Sequence, residues 1–93
     1  MGWEIIVTST FSEEFKKHKK EGEFVNALDK KIQRLKEDPK NLGGFLAGKL
    51  HGYKSTRIIG KFRLIFKIIS GDNKVYLCAI DHRKFVYKDF EGD

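Results

Sequence analysis

The sequence predicts an α+β domain in which a strand, a two-helix antiparallel hairpin and a three-stranded antiparallel meander follow one another. Three observations lead to this β-α-α-β-β-β order, with both helices on one face of the sheet. A β-branched apolar segment opens the chain, a helical apolar stripe follows, and strand-like segments separated by tight turns complete it. With 93 residues, 40% of them hydrophobic and 13% aromatic, residues 1–93 are expected to form a single domain.

The first predicted strand covers Trp3–Thr8, which is short, apolar and β-branched. The first helix is expected to take its cap from Thr10 or Ser12, with Phe11 and Phe15 on its buried side. Gly22 then breaks the helix.

The second helix has a clearer period. Its apolar residues recur three, four and three positions apart, at Val25, Leu28, Ile32 and Leu35, which is the spacing of one helix face. Pro39 ends the helix, because a residue that precedes proline is driven away from helical geometry. This stripe is predicted to be core that faces the sheet.

The second half of the chain predicts a loop over Lys40–Gly52, with a short extended piece at Lys49-Leu50, and then the meander. The three strands of the meander are Tyr53–Ile59, Phe62–Ile69 and Val75–Ile80. Residues 83–90 are expected to form a terminal turn or helix.

Charge is distributed unevenly along the chain. The formal net charge is +6, yet no Asp or Glu occurs from Pro39 to Gly71. The basic residues of this acid-free segment are Lys40, Lys49, Lys54, Arg57, Lys61, Arg63 and Lys67. Such a block is a candidate footprint for a polyanion, most plausibly RNA, although a solvated face without a partner has the same composition.

Alternation along the second meander strand predicts where these charges lie. Phe62, Leu64, Phe66 and Ile68 share one face and should meet the helices, which leaves the other face free. Arg63 and Lys67 then project from that open face, and Arg57 joins them if Ile58 is buried. Lys54 and Lys61 lie at strand ends, so alternation alone does not place them.

Polar side chains of three kinds follow the last strand, at His82, Arg83 and Tyr87. Histidine titrates near neutral pH, so His82 is a candidate acid or base, although a structural role is the more frequent one. His18, which lies among lysines, is expected to be solvated. Cys78 lies in an apolar run and is expected to be a buried, inert thiol.

The beginning of the chain has no basic and apolar export signal, and no apolar run approaches the ~18 residues of a membrane span. We therefore expect a cytoplasmic protein with no membrane partner.

Two motifs resemble the RelE/ParE superfamily of bacterial and archaeal toxins. They are the strand Gly-Lys-Phe-Arg-Leu-Ile-Phe at Gly60–Phe66 and the ending Asp-His-Arg-Lys-Phe-Val-Tyr at Asp81–Tyr87. The resemblance implies the toxin of a type II toxin–antitoxin system, in its best-known branch a ribonuclease that cuts messenger RNA on the ribosome. It also implies a small acidic antitoxin as partner.

The resemblance implies roles for individual residues as well. Arg63 matches an arginine that stabilises the scissile phosphate, Arg83 a proton donor or phosphate contact, and Tyr87 a tyrosine that stacks on the substrate. Lys54 matches a family lysine by spacing alone. Where a second lysine is usual in the family, this chain has Thr56 with Arg57 beside it, so the resemblance does not identify the general base. The predicted catalytic residues are Arg63, Arg83, Tyr87 and His82. The predicted RNA contacts are Lys49, Lys54, Arg57, Lys61 and Lys67.

Cleavage through the 2′-hydroxyl of the RNA requires no metal, and no cofactor is expected. Two alternatives stay open. One is a ParE-like inhibitor that binds DNA gyrase without catalysis, and the other is a degenerate member that binds only RNA or its antitoxin.

Overall fold

The computed structural model describes residues 2–46 and 52–82, with backbone alone for residues 81 and 82. Within these ranges two helices pack on one face of a five-stranded sheet. The elements are β1 (Glu4–Val7), α1 (Ser9–Lys16), α2 (Gly22–Glu37), β2 (Gly44–Phe45), β3 (Lys54–Ile59), β4 (Phe62–Ile69) and β5 (Lys74–His82). The predicted α+β class, helix pair and antiparallel meander are confirmed.

The strand order is β1-β5-β4-β3-β2, which puts β4 in the middle of the sheet. The strand β1 runs parallel to β5, and the other neighbouring strands are antiparallel. Two parallel strands need a crossover connection. Here the segment between β1 and β5 contains both helices and the strands β2, β3 and β4.

The short strand β2 lies where a loop was predicted. It pairs with the beginning of β3, Gly44 opposite Ser55 and Phe45 opposite Lys54. Gly43 permits this close approach, because its φ is +71° and a Cβ there would lie 2.3 Å from the Ser55 carbonyl oxygen. The extended piece predicted at Lys49-Leu50, and the terminal turn or helix at 83–90, lie outside the described residues.

The main core lies between the helices and the sheet. Leu28 and Leu35 of the predicted α2 stripe are buried, and Ile32 packs against the same cluster. Phe24 is 2% exposed and occupies the buried position at the start of the helix, whereas Val25 is only half-buried. Aromatic residues bury more apolar area than valine, so Phe24 contributes more to the core at this end.

The sheet contributes alternate residues to this core, as predicted. Leu64 and Phe66 of β4 are fully buried against the helix layer, while Ile65 belongs to a separate cluster on the opposite face. The pairing of β4 with β5 shifts register between Ile65 and Phe66, whose partners are Ala79 and Leu77. The extra residue on β5 is Cys78, so the irregularity is a β-bulge.

Thr8 provides the cap of α1, so the predicted caps at Thr10 and Ser12 are wrong. Its hydroxyl oxygen accepts a hydrogen bond from the Phe11 amide at 3.3 Å and donates to the Leu77 carbonyl at 2.8 Å. The strand β1 ends one residue earlier, at Val7, which leaves Thr8 in the extended conformation of an N-cap. The residue therefore joins the start of the helix to β5.

His18 is not merely solvated, as the sequence predicts, but packs in an aromatic cluster. Its ring centre lies 4.7 Å from that of Phe24 and 4.9 Å from that of Phe62. Its Nδ1 atom is 3.0 Å from a carboxylate oxygen of Glu21. These contacts join the turn after α1 to α2 and to the start of β4.

We expect Thr8→Val to lower the free energy of unfolding by about 1–2 kcal/mol, because the Phe11 amide loses its acceptor and β5 loses a donor. Thr8→Ser is the matched control, since it keeps the hydroxyl. It should lower the free energy of unfolding by less than half as much as Thr8→Val. Urea denaturation of the three proteins measures the difference. Equal loss in both variants would show that the methyl group, not the cap, matters at this position.

Candidate nucleic-acid interface

The open face of the sheet carries two arginines at the hairpin between β3 and β4. Arg57 and Arg63 are direct partners in the strand register, so their side chains share the face away from the helices. Ile58 is 7% exposed and belongs to the main core, which confirms the side predicted for Arg57. Like charges directly opposite each other disfavour a strand pair, and an anion bound between these two residues would reduce their repulsion. On its other side Arg63 has the acidic residue Asp81 as its register partner on β5.

The hairpin turn adds a third cation. Arg57, Gly60, Lys61 and Arg63 line a depression of about 200 Å³. The Nε of Arg57 donates to the Gly60 carbonyl at 3.1 Å, which holds one guanidinium across the turn. Gly60 has a φ of +57°, a conformation that glycine adopts readily at a tight turn. The depression is cationic and large enough to hold a phosphate group.

The centre of the open face is apolar and partly covered, whereas the sequence predicted a free face. Ile65 is fully buried and Ala79 is 3% exposed. Leu46, Tyr53 and Cys78 pack against these two residues. This small second cluster arises because the pairing of β2 with β3 brings Leu46 next to Tyr53, with the Leu46 amide donating to the Tyr53 carbonyl at 2.9 Å. The pattern of one strand does not reveal this pairing.

Lys67 lies on the open face beyond this cluster. Its Nζ is 5.3 Å from the centre of the Tyr53 ring, within the range of a cation–π contact. Tyr53 was not among the predicted site residues, because its contact with Lys67 follows from strand pairing and not from spacing along the chain.

Lys54 lies on the helix side of the sheet, away from the arginines. It is 2% exposed, and its Nζ donates to the carbonyl of Lys40 at 2.8 Å and to that of Pro39 at 3.4 Å. The ring of Phe45 lies 5.0 Å from this ammonium and that of Phe66 5.9 Å. Loss of hydration by burial lowers the pKa of Lys54, and the charge of Asp38 opposes that shift. Its role in this structure is to hold the chain after α2 on the sheet.

The remaining predicted site residues are not placed by the structure. Lys49, Arg83 and Tyr87 lie outside the described residues, and for His82 only the backbone is described. His82 is the last residue of β5 and the register partner of Phe62, next to the pair formed by Asp81 and Arg63. The strand thus ends beside the arginine depression. The roles predicted for these four residues stay predictions.

The comparisons with known proteins agree with this fold. Residues 5–87 match the family model described as the ParE toxin of type II toxin–antitoxin systems, parDE. The chain belongs to the ParE toxin family. The match confirms the RelE/ParE resemblance seen in the sequence, and makes this protein a type II toxin with an antitoxin partner. No curated protein matches the sequence.

Solved structures of related toxins superpose over most of the chain. The RelBE2 toxin–antitoxin complex of Mycobacterium tuberculosis is similar at 25% identity and a TM-score of 0.75, covering 89% of this chain and 100% of that one. The YoeB/ParE toxin of Agrobacterium tumefaciens has 18% identity and a TM-score of 0.75, covering 85% and 96%. YafQ of Escherichia coli has 18% identity and a TM-score of 0.76, covering 91% and 98%. The last two likenesses concern the fold alone.

Neither helix in the described part of the chain is long and apolar enough to cross a membrane.

We expect Cys78 to be unreactive in the folded protein. Burial raises the pKa of its thiol to about 11, and nearby Lys67 offsets only part of that shift. Only the thiolate is nucleophilic, so alkylation by iodoacetamide near pH 7.5 should be on the order of 10² times slower than for a free exposed thiol. The rate should rise as the pH approaches 11.

Mass spectrometry of timed samples follows this reaction, and the protein unfolded in urea is the control, where the thiol should react at an ordinary rate. The structure has Cys78 half-buried, not fully buried as predicted. Equally fast alkylation of the folded protein at neutral pH would contradict the shielding of its thiol.

Proposed function

We propose that this toxin is an endoribonuclease that cuts messenger RNA on the ribosome, by attack of a 2′-hydroxyl on the neighbouring phosphorus. The observation that carries the proposal is the depression at the β3–β4 hairpin, where Arg57, Lys61 and Arg63 converge on one small volume. The resemblance of Gly60–Phe66 to the ribonuclease branch of the superfamily supports the same chemistry.

The reaction requires charge stabilisation at the phosphorus. The 2′-oxygen forms a bond to phosphorus and the 5′-oxygen leaves, which gives a 2′,3′-cyclic phosphate and a 5′-hydroxyl. Negative charge accumulates on the non-bridging oxygens between these two events. Guanidinium groups match that geometry, because their paired N–H donors can bind two oxygens of one phosphate.

Preorganisation makes these cations effective. Donors that are already aimed at the developing charge need not reorganise during the reaction, and this is commonly the largest single term in catalysis. The hydrogen bond from the Nε of Arg57 to the Gly60 carbonyl holds the guanidinium group across the turn. Arg63 is half-buried, so the sheet restricts its side chain as well.

Two proton transfers complete the step. One proton leaves the 2′-hydroxyl for a base, and another reaches the departing 5′-oxygen. His82 and Arg83 are the candidates for these transfers, and Tyr87 is the candidate for stacking on a base of the substrate. We propose them on the sequence motif at Asp81–Tyr87.

The antitoxin partner is proposed to be a small acidic protein that covers this basic face. The solved RelBE2 structure and the YoeB–YefM structure from Staphylococcus aureus are both toxin–antitoxin complexes. An acidic segment bound to Arg57, Lys61 and Arg63 would exclude RNA from its site. Both ligands are negatively charged and would compete for the same basic residues.

A second candidate function is inhibition of DNA gyrase by binding, without catalysis. The observation that favours it is the family model itself, which is that of ParE toxins. A basic sheet face is compatible with either activity. The two candidates differ in whether transcripts are cut or supercoiling is lost.

We expect Arg63→Ala and Arg57→Ala each to reduce messenger-RNA cleavage on the order of 10²-fold, the usual effect of removing one preorganised donor. Arg34→Ala is the matched control, because Arg34 is an exposed arginine on α2. Primer extension on a translated transcript after induction measures cleavage, and urea denaturation checks that each variant is folded.

Cleavage at the parental level in both arginine variants would contradict the proposed site. Growth arrest with intact transcripts and loss of supercoiling would instead support the gyrase candidate.

A further inference from the structure

The open face has a second cationic position, separate from the arginine depression. Lys67 is half-buried, and its ammonium is held against the ring of Tyr53 at 5.3 Å. The register explains the contact: Lys54 pairs with Phe66, so Tyr53, one residue before β3, comes opposite Lys67. An ammonium carries three donors, so a contact with one ring face leaves donors for a ligand.

The distance between the two positions follows from strand geometry. Arg63 and Lys67 lie on the same strand and the same face, four residues apart, which corresponds to about 13 Å along β4. The residue between them on this face is Ile65, which is fully buried with Ala79. The face therefore has a cation at each end and an apolar centre.

This spacing is longer than the separation of neighbouring phosphates in a nucleic-acid strand. The Lys67 ammonium is held against the Tyr53 ring, beside its own position on β4, so we expect the two cations to bind different phosphates. A strand that places its scissile phosphate at Arg63 then brings another of its phosphates to Lys67. The intervening sugar or base passes over the side chains that cover Ile65, which include Leu46 and Tyr53.

We infer that Lys67, positioned by Tyr53, is a second phosphate contact that sets the register of the RNA strand relative to the scissile phosphate. This inference rests on the proposed ribonuclease function and adds a specificity-determining position to it. Tyr53 acts through Lys67: a free lysine side chain samples many rotamers, and the ring restricts the ammonium to the open face.

The inference predicts that the contribution of Lys67 to binding depends on the length of the RNA. Removal of Lys67 should weaken binding of a hexanucleotide but leave binding of a dinucleotide, which has a single internucleotide phosphate, unchanged. Removal of Arg63 should weaken both. For the hexanucleotide, the slope of log affinity against log salt should become shallower by about 0.7, the value for one lost contact on a single strand.

The test uses 2′-O-methyl RNA, which binds but cannot be cut through its 2′-oxygen. Affinity for a dinucleotide and a hexanucleotide is measured by NMR titration, and salt dependence by fluorescence anisotropy of the labelled hexanucleotide. The proteins are the parent, Lys67→Ala, Tyr53→Leu, Tyr53→Phe and Arg63→Ala. Lys31→Ala is the matched control, since Lys31 is a half-buried lysine on α2.

We expect Tyr53→Leu to weaken hexanucleotide binding in the same direction as Lys67→Ala, and Tyr53→Phe to retain parental affinity, because the ring and not its hydroxyl holds the ammonium. A parental salt slope in Lys67→Ala, with Arg63→Ala still weakened, overturns the inference and leaves the proposed function standing. A length-dependent Lys67 effect without cleavage of translated transcripts supports the strand register and contradicts the ribonuclease. No binding of the hexanucleotide by the parent overturns the inference as well.

Discussion

The alternation of side chains along β4 is the constraint on which both faces of the sheet depend. Leu64 and Phe66 are fully buried against the helices, and their neighbours Arg63 and Lys67 must therefore point the other way. A slip of one residue would bury two cations and expose two core side chains, so the register is strongly specified. The stability of the helix layer thus holds the cationic residues on the open face.

The acid-free segment has two separate uses, which its composition does not distinguish. Lys54 is buried on the helix side, where its ammonium satisfies the carbonyls of Pro39 and Lys40. Arg57 and Arg63, by contrast, are placed opposite each other across two strands. An anion bound between these two like charges would reduce their repulsion.

Sequence reasoning predicted the features that depend on local patterns. The stripe of α2, its end before Pro39 and the alternation of β4 follow from spacing along a single element. The structure has all three, except that Phe24 replaces Val25 as the buried residue at the start of the stripe. The missed features depend on contacts between distant segments. The Thr8 cap is completed by the Leu77 carbonyl, 69 residues away in the chain. Pairing of β2 needs the close approach of Gly43 to Ser55.

The same distinction applies to the site. Strand alternation predicted the side of Arg63, and of Arg57 provided that Ile58 is buried, but it left Lys61 unplaced at a strand end. The structure puts all three along one depression. Lys54 could not be placed, because its partners are carbonyls of the chain after α2. Alternation along the predicted strand puts Tyr53 on the face of Arg57, but only the pairing of β3 with β4 brings it opposite Lys67.

The chemistry at the arginine depression is tested most directly by the ends of the RNA that the toxin produces. Ribosomes carrying a defined messenger RNA are treated with the purified toxin, and the fragment termini are identified by mass spectrometry, with a transcript bearing one 2′-deoxynucleotide at the cut position alongside. The account predicts a 2′,3′-cyclic phosphate with a 5′-hydroxyl on the next fragment, and no cut at the deoxy position. A 3′-hydroxyl with a 5′-phosphate, or unchanged cutting of the deoxy transcript, would contradict it.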